Sequence, residues 1–223
     1  MTFSQSESDT PSWQARALDR SMSDVRARSV ERLSLFVHAA RELAAETGSS
    51  AFTVQQVVDR SGQSLKSFYR YFDGKDALLL ALIEEDCTVG ARLLERMLDD
   101  HREPVDRVRA WVLGVFELMA SGDEGYVSVL VREHRRLAEA RPDEIELALQ
   151  PLVQLLVGDL TLAVAASDIR AADPARDAHS ILNMVLLYIH GLLVEGRSER
   201  QVSETATYVW DFCWGGLRTR ESS

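Results

Sequence analysis

The sequence has few cysteines, and its histidines are scattered. Cys87 and Cys213 show no metal-ligand spacing, so a disulfide framework and a zinc-binding motif are both excluded. His101, His179 and His190 show no ligand spacing with one another. We therefore predict no metal site and no cofactor. No charged segment followed by an apolar stretch opens the chain, and this indicates a cytoplasmic protein.

Long apolar runs and strand patterns are also missing. The longest apolar run, residues 181–194, is interrupted by Asn183 and His190 and is shorter than the ~18 residues of a membrane span. We therefore predict no membrane partner. Alternating apolar and polar positions do not occur over any segment, and no internal repeat is present. These absences disfavour a β-sheet and a repeat protein.

Motifs of the common enzyme classes are absent as well. The sequence contains no Ser-His-Asp pattern in context, no glycine-rich phosphate loop, no zinc-binding helix and no supported carboxylate pair. We predict that the protein is not an enzyme. A helical enzyme that transforms a small molecule in its larger half is the weaker alternative.

Positive charge is scarce except near the N-terminus. The 223 residues carry a formal net charge of −10. Residues 24–75 nevertheless contain eight basic and six acidic side chains, whereas residues 76–223 contain fifteen basic and twenty-six acidic ones. The total disfavours a polyanionic partner, but this asymmetry permits one at the N-terminal part.

Apolar residues recur at helical spacing along most of the chain. The pattern begins near Ser23, and proline at 104, 142 and 174 marks later helix starts, because proline is tolerated in a first turn. Pro151 is expected either to kink a helix or to restart one. We predict an all-α protein of about nine helices.

These helices divide into two predicted units. Residues 1–22 are polar and are expected to form a disordered tail. A three-helix, helix-turn-helix DNA-binding domain is predicted over residues 23–74, completed by the start of the fourth helix at 75–83. Residues 84–223 are predicted to form a ligand-binding and dimerisation domain.

The N-terminal unit contains two short helices joined by a tight turn, in the stretch TVQQVVDRSGQSLKSFYRYF. Thr53 and Ser64 are predicted to cap these helices, and Gly62 separates them. Phe68 and Phe72 are four residues apart, so they share one helix face and are expected to be buried. This arrangement is typical of a helix-turn-helix, whose second helix enters the DNA major groove.

The exposed face of that second helix is basic and aromatic. Lys66 and Arg70 can contact guanine edges or phosphates, and the hydroxyls of Tyr69 and Tyr71 can reach phosphates. Two alternatives stay open: the tyrosines can pack on the fourth helix, and the cations can be ordinary surface charges. The helix-turn-helix can also contact a protein instead of DNA.

At these residues the sequence resembles the tetracycline-repressor (TetR) family of bacterial transcription regulators, over roughly residues 29–83. The positions that fit the family motif are Thr53, Val57, Gly62, Ser64, Tyr69, Tyr71, Phe72, Lys75 and Leu78. Three positions depart from it: Val58 replaces an alanine, Gln63 an aliphatic residue, and Lys66 a small residue or proline. Lys66 adds a positive charge where the helix meets DNA.

The resemblance implies specific roles for this segment. Phosphates would be held by Thr53, Tyr69, Tyr71 and Lys75. Bases would be faced by Leu65, Lys66, Ser67 and Arg70, next to the cap Ser64. The implied protein is a homodimeric repressor that binds a palindromic double-stranded operator and is released by a small-molecule effector.

The resemblance also implies dimerisation through the last two helices, which would form a four-helix bundle. The penultimate helix is apolar nearly all round, and three aromatic residues lie within five positions near the C-terminus. The predicted interface consists of Val185, Ile189, Leu192, Val209, Trp210, Cys213 and Leu217.

An effector site is predicted among the middle helices. A cavity there would admit an apolar or amphipathic molecule. Its predicted lining is Trp111, Val115, Met119, Leu130, His134, Leu155, Asn183, Leu187 and Tyr188. Asn183, Tyr188 or His134 would orient the ligand, although we favour a surface position for His134. The alternative is that most of these residues are ordinary core.

Overall fold

The computed structural model describes residues 12–170, 173–195 and 198–219. These residues form nine helices and no strand, which confirms the all-α prediction. The helices are α1 Ser12–Thr47, α2 Val54–Ser61, α3 Leu65–Tyr71, α4 Lys75–Leu98, α5 Pro104–Ser121, α6 Glu124–Ala140, α7 Pro142–Ala165, α8 Pro174–Glu195 and α9 Glu199–Leu217.

The first helix is longer than the sequence pattern indicates. It begins at Ser12, within the segment predicted to be a tail, and residues 1–11 lie outside the described residues. The segment SWQARALDRSM contains no glycine or proline and is rich in good helix formers. Elongation of an existing helix is far easier than nucleation, so α1 extends through this polar segment without an apolar face to bury.

The α2–α3 unit is fixed by its caps. The Thr53 hydroxyl accepts a hydrogen bond from the backbone N–H of Gln56, whose side chain accepts from the Thr53 N–H in return. Gly62 ends α2 with φ of 66°, a left-handed conformation that glycine adopts readily. Ser64 then caps α3 by accepting from the N–H of Ser67 at 3.1 Å.

Prolines open α5, α7 and α8. Pro151 lies inside α7, which continues as one helix on both sides of it. The N-cap residue of α4 is Gly74, which makes no side-chain capping hydrogen bond. The start of α4 is held in other ways, described below.

Two apolar clusters fill the interior. One contains Phe36, Phe68 and Phe72 together with residues of α2 and the first half of α4. It also takes in four residues of α6 and α7, namely Val129, Leu137, Ile145 and Ala148. The second cluster lies among α4–α9 and includes the fully buried Trp111. The N-terminal helices are therefore packed directly on the larger half, and the boundary between residues 83 and 84 stays a prediction.

Candidate DNA interface and ligand cavity

The orientation of α3 is set by three phenylalanine rings. Phe68 is fully buried and meets the ring of Phe36 edge-on, with centroids 5.4 Å apart. Phe72 meets Phe36 in the same way at 6.1 Å. Edge-to-face pairs of this kind favour a defined ring geometry and contribute stability beyond that of the apolar area they bury. Because this face of α3 is held against α1, the opposite face is directed away from the protein.

That outward face carries most of the predicted base-facing side chains. Leu65 is 42% exposed and Tyr69 is 55% exposed. Lys66 and Arg70 are exposed as well, and Ser67 is half-buried. Two cations and a tyrosine on one surface-directed helix face fit the chemistry of a DNA major groove and its phosphates.

Three of the predicted phosphate-holding residues already have partners within the protein. Thr53 is exposed and caps α2. Tyr71 is half-buried, and hydrogen bonds with Ser29, Arg70 and Arg32 lower the pKa of its hydroxyl.

Lys75 is half-buried at the start of α4. Its Nζ donates to the carbonyl oxygens of Ser50 at 2.8 Å and Phe52 at 3.4 Å, and it lies 5.5 Å from the centre of the Phe52 ring. Lys75 thus holds the loop between α1 and α2 against the start of α4, whether or not it also contacts DNA.

A polar cluster joins α1, α4 and α6. The Arg41 guanidinium donates to Asp86 Oδ1 at 2.6 Å, to Glu85 Oε2 at 3.0 Å and to the Tyr126 hydroxyl at 3.1 Å. The Tyr126 hydroxyl in turn donates to the second oxygen of Asp86. Burial raises the pKa of both Asp86 and Tyr126. The sequence contains no signal for this cluster, because its members come from three helices and its hydrogen bonds join residues 40 to 85 positions apart.

A second set of contacts runs from α6 to the N-terminal helices. Glu133 accepts a hydrogen bond from the Ser50 hydroxyl and pairs with Arg136 at 2.7 Å. Arg136 also pairs with Asp76 at 2.6 Å, and this pairing lowers the pKa of the Asp76 carboxyl. Helix α6 therefore contacts both the α1–α2 loop and the first turn of α4.

A cavity of about 100 Å³ lies among α4, α5, α6, α7 and α8. Four of the residues predicted to bind the effector line it, namely Val115, Met119, Leu130 and His134. The predicted lining contained no residue of α4, although residues 84–98 of that helix belong to the predicted ligand-binding domain. The full lining is Ile83, Asp86, Cys87, Gly90, Leu94, Val115, Leu118, Met119, Leu130, Val131, His134, Leu149, Leu152, Leu182 and Leu186.

The other residues predicted to bind the effector lie elsewhere. Trp111 is fully buried in the core, and Leu155 and Tyr188 are half-buried and packed against that core. Asn183 and Leu187 are exposed. Helix α8 instead directs Leu182 and Leu186 into the cavity, so the neighbouring positions Asn183 and Leu187 are rotated about 100° away from it.

His134 is not at the surface. It is half-buried in the cavity wall, and burial lowers the pKa of its imidazole, which favours the neutral ring. Among the described residues its Nε2 is buried without a hydrogen-bond partner. Cys87 lines the same cavity, and burial raises the pKa of its thiol to about 12.

The residues predicted to form the dimer interface lie inside the subunit. Six of the seven are buried in the second apolar cluster, and Leu192 is half-buried against it; the six are Val185, Ile189, Val209, Trp210, Cys213 and Leu217. They face α5 and α7 of their own chain, because that side of α8 and α9 closes the core. A fully buried residue cannot contact a second subunit directly.

A different face of the last two helices is apolar and exposed. Leu187 and Val194 on α8 are 68% and 72% exposed, and Tyr208 and Phe212 on α9 are 56% and 61% exposed. The rings of Tyr188 and Tyr208 lie 5.9 Å apart and connect the two helices. We call Leu187, Val194, Tyr208 and Phe212 the outer α8–α9 face.

Within residues 12–170, 173–195 and 198–219, no group of three or more His, Cys, Asp or Glu side chains is placed to hold a metal ion. Helices α7 and α8 are long and apolar enough to cross a bilayer by length and composition. Both pack against neighbouring helices of the same chain through buried residues such as Leu156 and Val185.

The chain is similar to known bacterial regulators, both in its N-terminal part and over most of its length. Residues 36–82 match the bacterial regulatory proteins of the tetR family. A curated relative, the HTH-type transcriptional activator FasR of Mycolicibacterium smegmatis, is 24% identical over 197 residues, which are 84% of this chain and 83% of the relative.

Solved structures share the fold over most of the chain. The transcriptional regulator FadR from Bacillus subtilis, in complex with stearoyl-CoA, superposes with a TM-score of 0.68 at 19% identity, covering 83% of this chain and 99% of that one. The fatty acid degradation regulator FadR from Bacillus halodurans gives a TM-score of 0.67 at 18% identity, covering 83% and 99%.

Proposed function

Since the chain is a transcriptional regulator of the TetR family, we propose that it binds a palindromic DNA operator as a homodimer. We also propose that a small apolar or amphipathic effector in the α4–α8 cavity changes its affinity for that operator. The single observation that carries the DNA-binding part is the outward face of α3.

The α3 face supports readout in the major groove. Phe68 and Phe72 hold one side of the helix against Phe36, which leaves Lys66, Tyr69 and Arg70 directed outward. In a helix-turn-helix the second helix lies in the groove and its exposed residues contact bases and phosphates. This face is flanked by four further predicted DNA contacts, Thr53, Ser64, Tyr71 and Lys75. They would position the DNA backbone relative to α3.

The outer α8–α9 face supports dimerisation. Four large apolar side chains from two adjacent helices are more than half exposed on the single subunit. Contiguous exposed apolar patches on soluble proteins mark interaction sites. A two-fold interface would pair this face with its copy and form a four-helix bundle, so the two α3 helices would meet two half-sites of a palindrome.

Helix α4 supports communication between the cavity and α3. Five of its residues between positions 83 and 94 line the cavity, and one of them, Asp86, accepts a hydrogen bond from Arg41 of α1. An effector that fits one arrangement of α4 better than another would shift the population of dimers whose α3 helices match the operator spacing. The Bacillus subtilis neighbour is in complex with stearoyl-CoA, an amphipathic molecule, which agrees with an amphipathic effector in a protein of this fold.

The proposed regulator acts in the cytoplasm, where it meets DNA and a diffusible effector. The sequence resemblance implies a ligand-released repressor, whereas the Mycolicibacterium smegmatis relative carries the name of an activator. A promoter–reporter assay with and without the gene decides the sign: loss of the protein raises expression for a repressor and lowers it for an activator.

Selection of bound sequences from a random pool of duplexes tests the DNA-binding proposal. The expected product is a palindrome whose half-sites are about one or more helical turns apart. Recovery of only unrelated sequences, bound with equal affinity, would mean that α3 does not read DNA. The selected duplex then serves as the probe for every effector measurement.

A further inference from the structure

The chemistry of the cavity wall restricts the charge of the effector. Of its fifteen lining residues eleven are aliphatic or methionine side chains, and one is glycine. The remaining three are Asp86, Cys87 and His134. Among the described residues no lysine or arginine lines the cavity, so an anionic group placed there would be buried without a cation beside it. Burial of an unpaired charge is strongly unfavourable.

The single carboxylate in the wall does not favour a cation either. One oxygen of Asp86 accepts from Arg41 at 2.6 Å, and the other accepts from the Tyr126 hydroxyl. The positive charge of Arg41 balances that of Asp86 from outside the lining. A ligand ammonium would therefore meet a carboxylate whose charge is already balanced by Arg41.

The two other polar side chains are uncharged. Burial holds the Cys87 thiol in its protonated form and the His134 imidazole in its neutral form. His134 is also the one polar side chain of the wall that has a buried nitrogen, Nε2, with no hydrogen-bond partner among the described residues. A buried polar group without a partner is unfavourable, and a ligand that supplied one would relieve this.

We propose that the cavity selects an uncharged apolar effector, or the uncharged apolar part of a larger effector. This group carries a hydroxyl or carbonyl oxygen that forms a hydrogen bond with His134 Nε2. A hydroxyl oxygen serves either tautomer of the ring, since it can both donate and accept. The volume of about 100 Å³ sets the size of the part that enters. A dry apolar cavity of ~150 Å³ accepts benzene, so about six carbon atoms is the appropriate scale.

This inference rests on the proposed function only in treating the cavity as the effector site. The measurement therefore uses direct binding of small probes to the full-length protein, and operator binding by the ligand-free protein is recorded separately. Loss of operator recognition with intact probe selectivity would contradict the DNA proposal alone. Normal operator recognition without the selectivity below would contradict this inference alone.

The probes are 1-hexanol, hexane, hexanoate and hexylammonium, titrated at pH 8 by protein-observed NMR. The wild-type protein should bind 1-hexanol at least tenfold more tightly than either ion. His134→Leu should weaken 1-hexanol about threefold to tenfold, the value of one neutral hydrogen bond, and should not weaken hexane. His101→Leu serves as the matched control, because His101 is exposed and is not among the residues that line the cavity. This variant should bind the probes like wild type.

A second variant tests whether the probes bind in this cavity, and it does so without removing a polar group. The Gly90 Cα borders the cavity, and a Cβ built there meets only the Leu152 side chain, at 3.9 Å. Gly90→Leu should therefore fold, fill the cavity and abolish binding of both uncharged probes. Equal affinity for 1-hexanol and hexanoate, unchanged 1-hexanol binding by His134→Leu or Gly90→Leu, or no binding of any probe would each overturn the proposal.

Discussion

Arg41 on α1 donates a hydrogen bond to Asp86 on α4 at 2.6 Å, at a point where α4 also forms the wall of the cavity. Asp86 is thus shared by the two parts of the molecule, since its oxygens bind α1 and α6 while the residue borders the cavity. Tyr126 completes the arrangement by contacting both Arg41 and Asp86. Through Asp86, the wall of the cavity is in direct contact with α1.

The Tyr126→Phe substitution tests this link. It removes the hydroxyl between Arg41 and Asp86, so a buried carboxylate oxygen loses its donor, and the free energy of unfolding should fall by about 1–3 kcal/mol. Chemical denaturation measures the change. Tyr69→Phe removes a hydroxyl from a side chain that is 55% exposed and should leave the free energy of unfolding unchanged. An identical effect of both substitutions would show that the cluster does not stabilise the fold.

The outer α8–α9 face should be required for the dimer. Replacement of Phe212 or Leu187 by aspartate places a charge in the proposed apolar interface and should yield monomers in analytical ultracentrifugation. Leu147→Asp is the matched control, because Leu147 on α7 is 69% exposed and lies outside this face. If the Phe212→Asp protein sediments as the wild type does, the dimer uses another surface or does not form.

His134 should make stability depend on pH. Its folded pKa lies below the ordinary value, so between the two values the unfolded chain binds more protons than the folded one. The free energy of unfolding should therefore fall as the pH drops below about 6.5, the ordinary histidine pKa, and the loss should be complete below the folded pKa.

Urea unfolding of the wild type and His134→Leu at pH 5, 6 and 7 measures this dependence. The variant should lose less stability than the wild type over the same interval, because it lacks the titrating ring. Parallel curves for the two proteins would show that His134 is not buried as described. His101→Leu should follow the wild-type curve.

The N-terminal half of the fold could be predicted from local sequence signals. Thr53, Gly62 and Ser64 specify the ends of α2 and α3 through caps that involve only near neighbours. Phe68 and Phe72 could be placed inside because a two-turn helix has one apolar face and their spacing defines it. The early start of α1 was missed because its first turns carry no apolar periodicity.

The faces of α8 and α9 could not be predicted in the same way. A helix that is apolar nearly all round has no distinct apolar face in its sequence pattern. The sequence therefore cannot tell which side faces the core and which faces a partner. Val185 and Leu187 are equally apolar, yet one is fully buried and the other is 68% exposed. The position of His134 and the Arg41–Asp86 pair depend on contacts between distant helices, which single-sequence patterns do not record.

Fluorescence anisotropy of the selected palindromic duplex tests the central claim, that the outward face of α3 reads DNA. Lys66→Ala and Tyr69→Ala should each weaken binding by about 1–3 kcal/mol. Arg200→Ala removes an exposed cation from α9 and should bind like wild type. Wild-type affinity should also fall steeply with salt, because bound cations release counterions from the phosphates. If both α3 variants bind the duplex as tightly as the wild type does, that result contradicts the account.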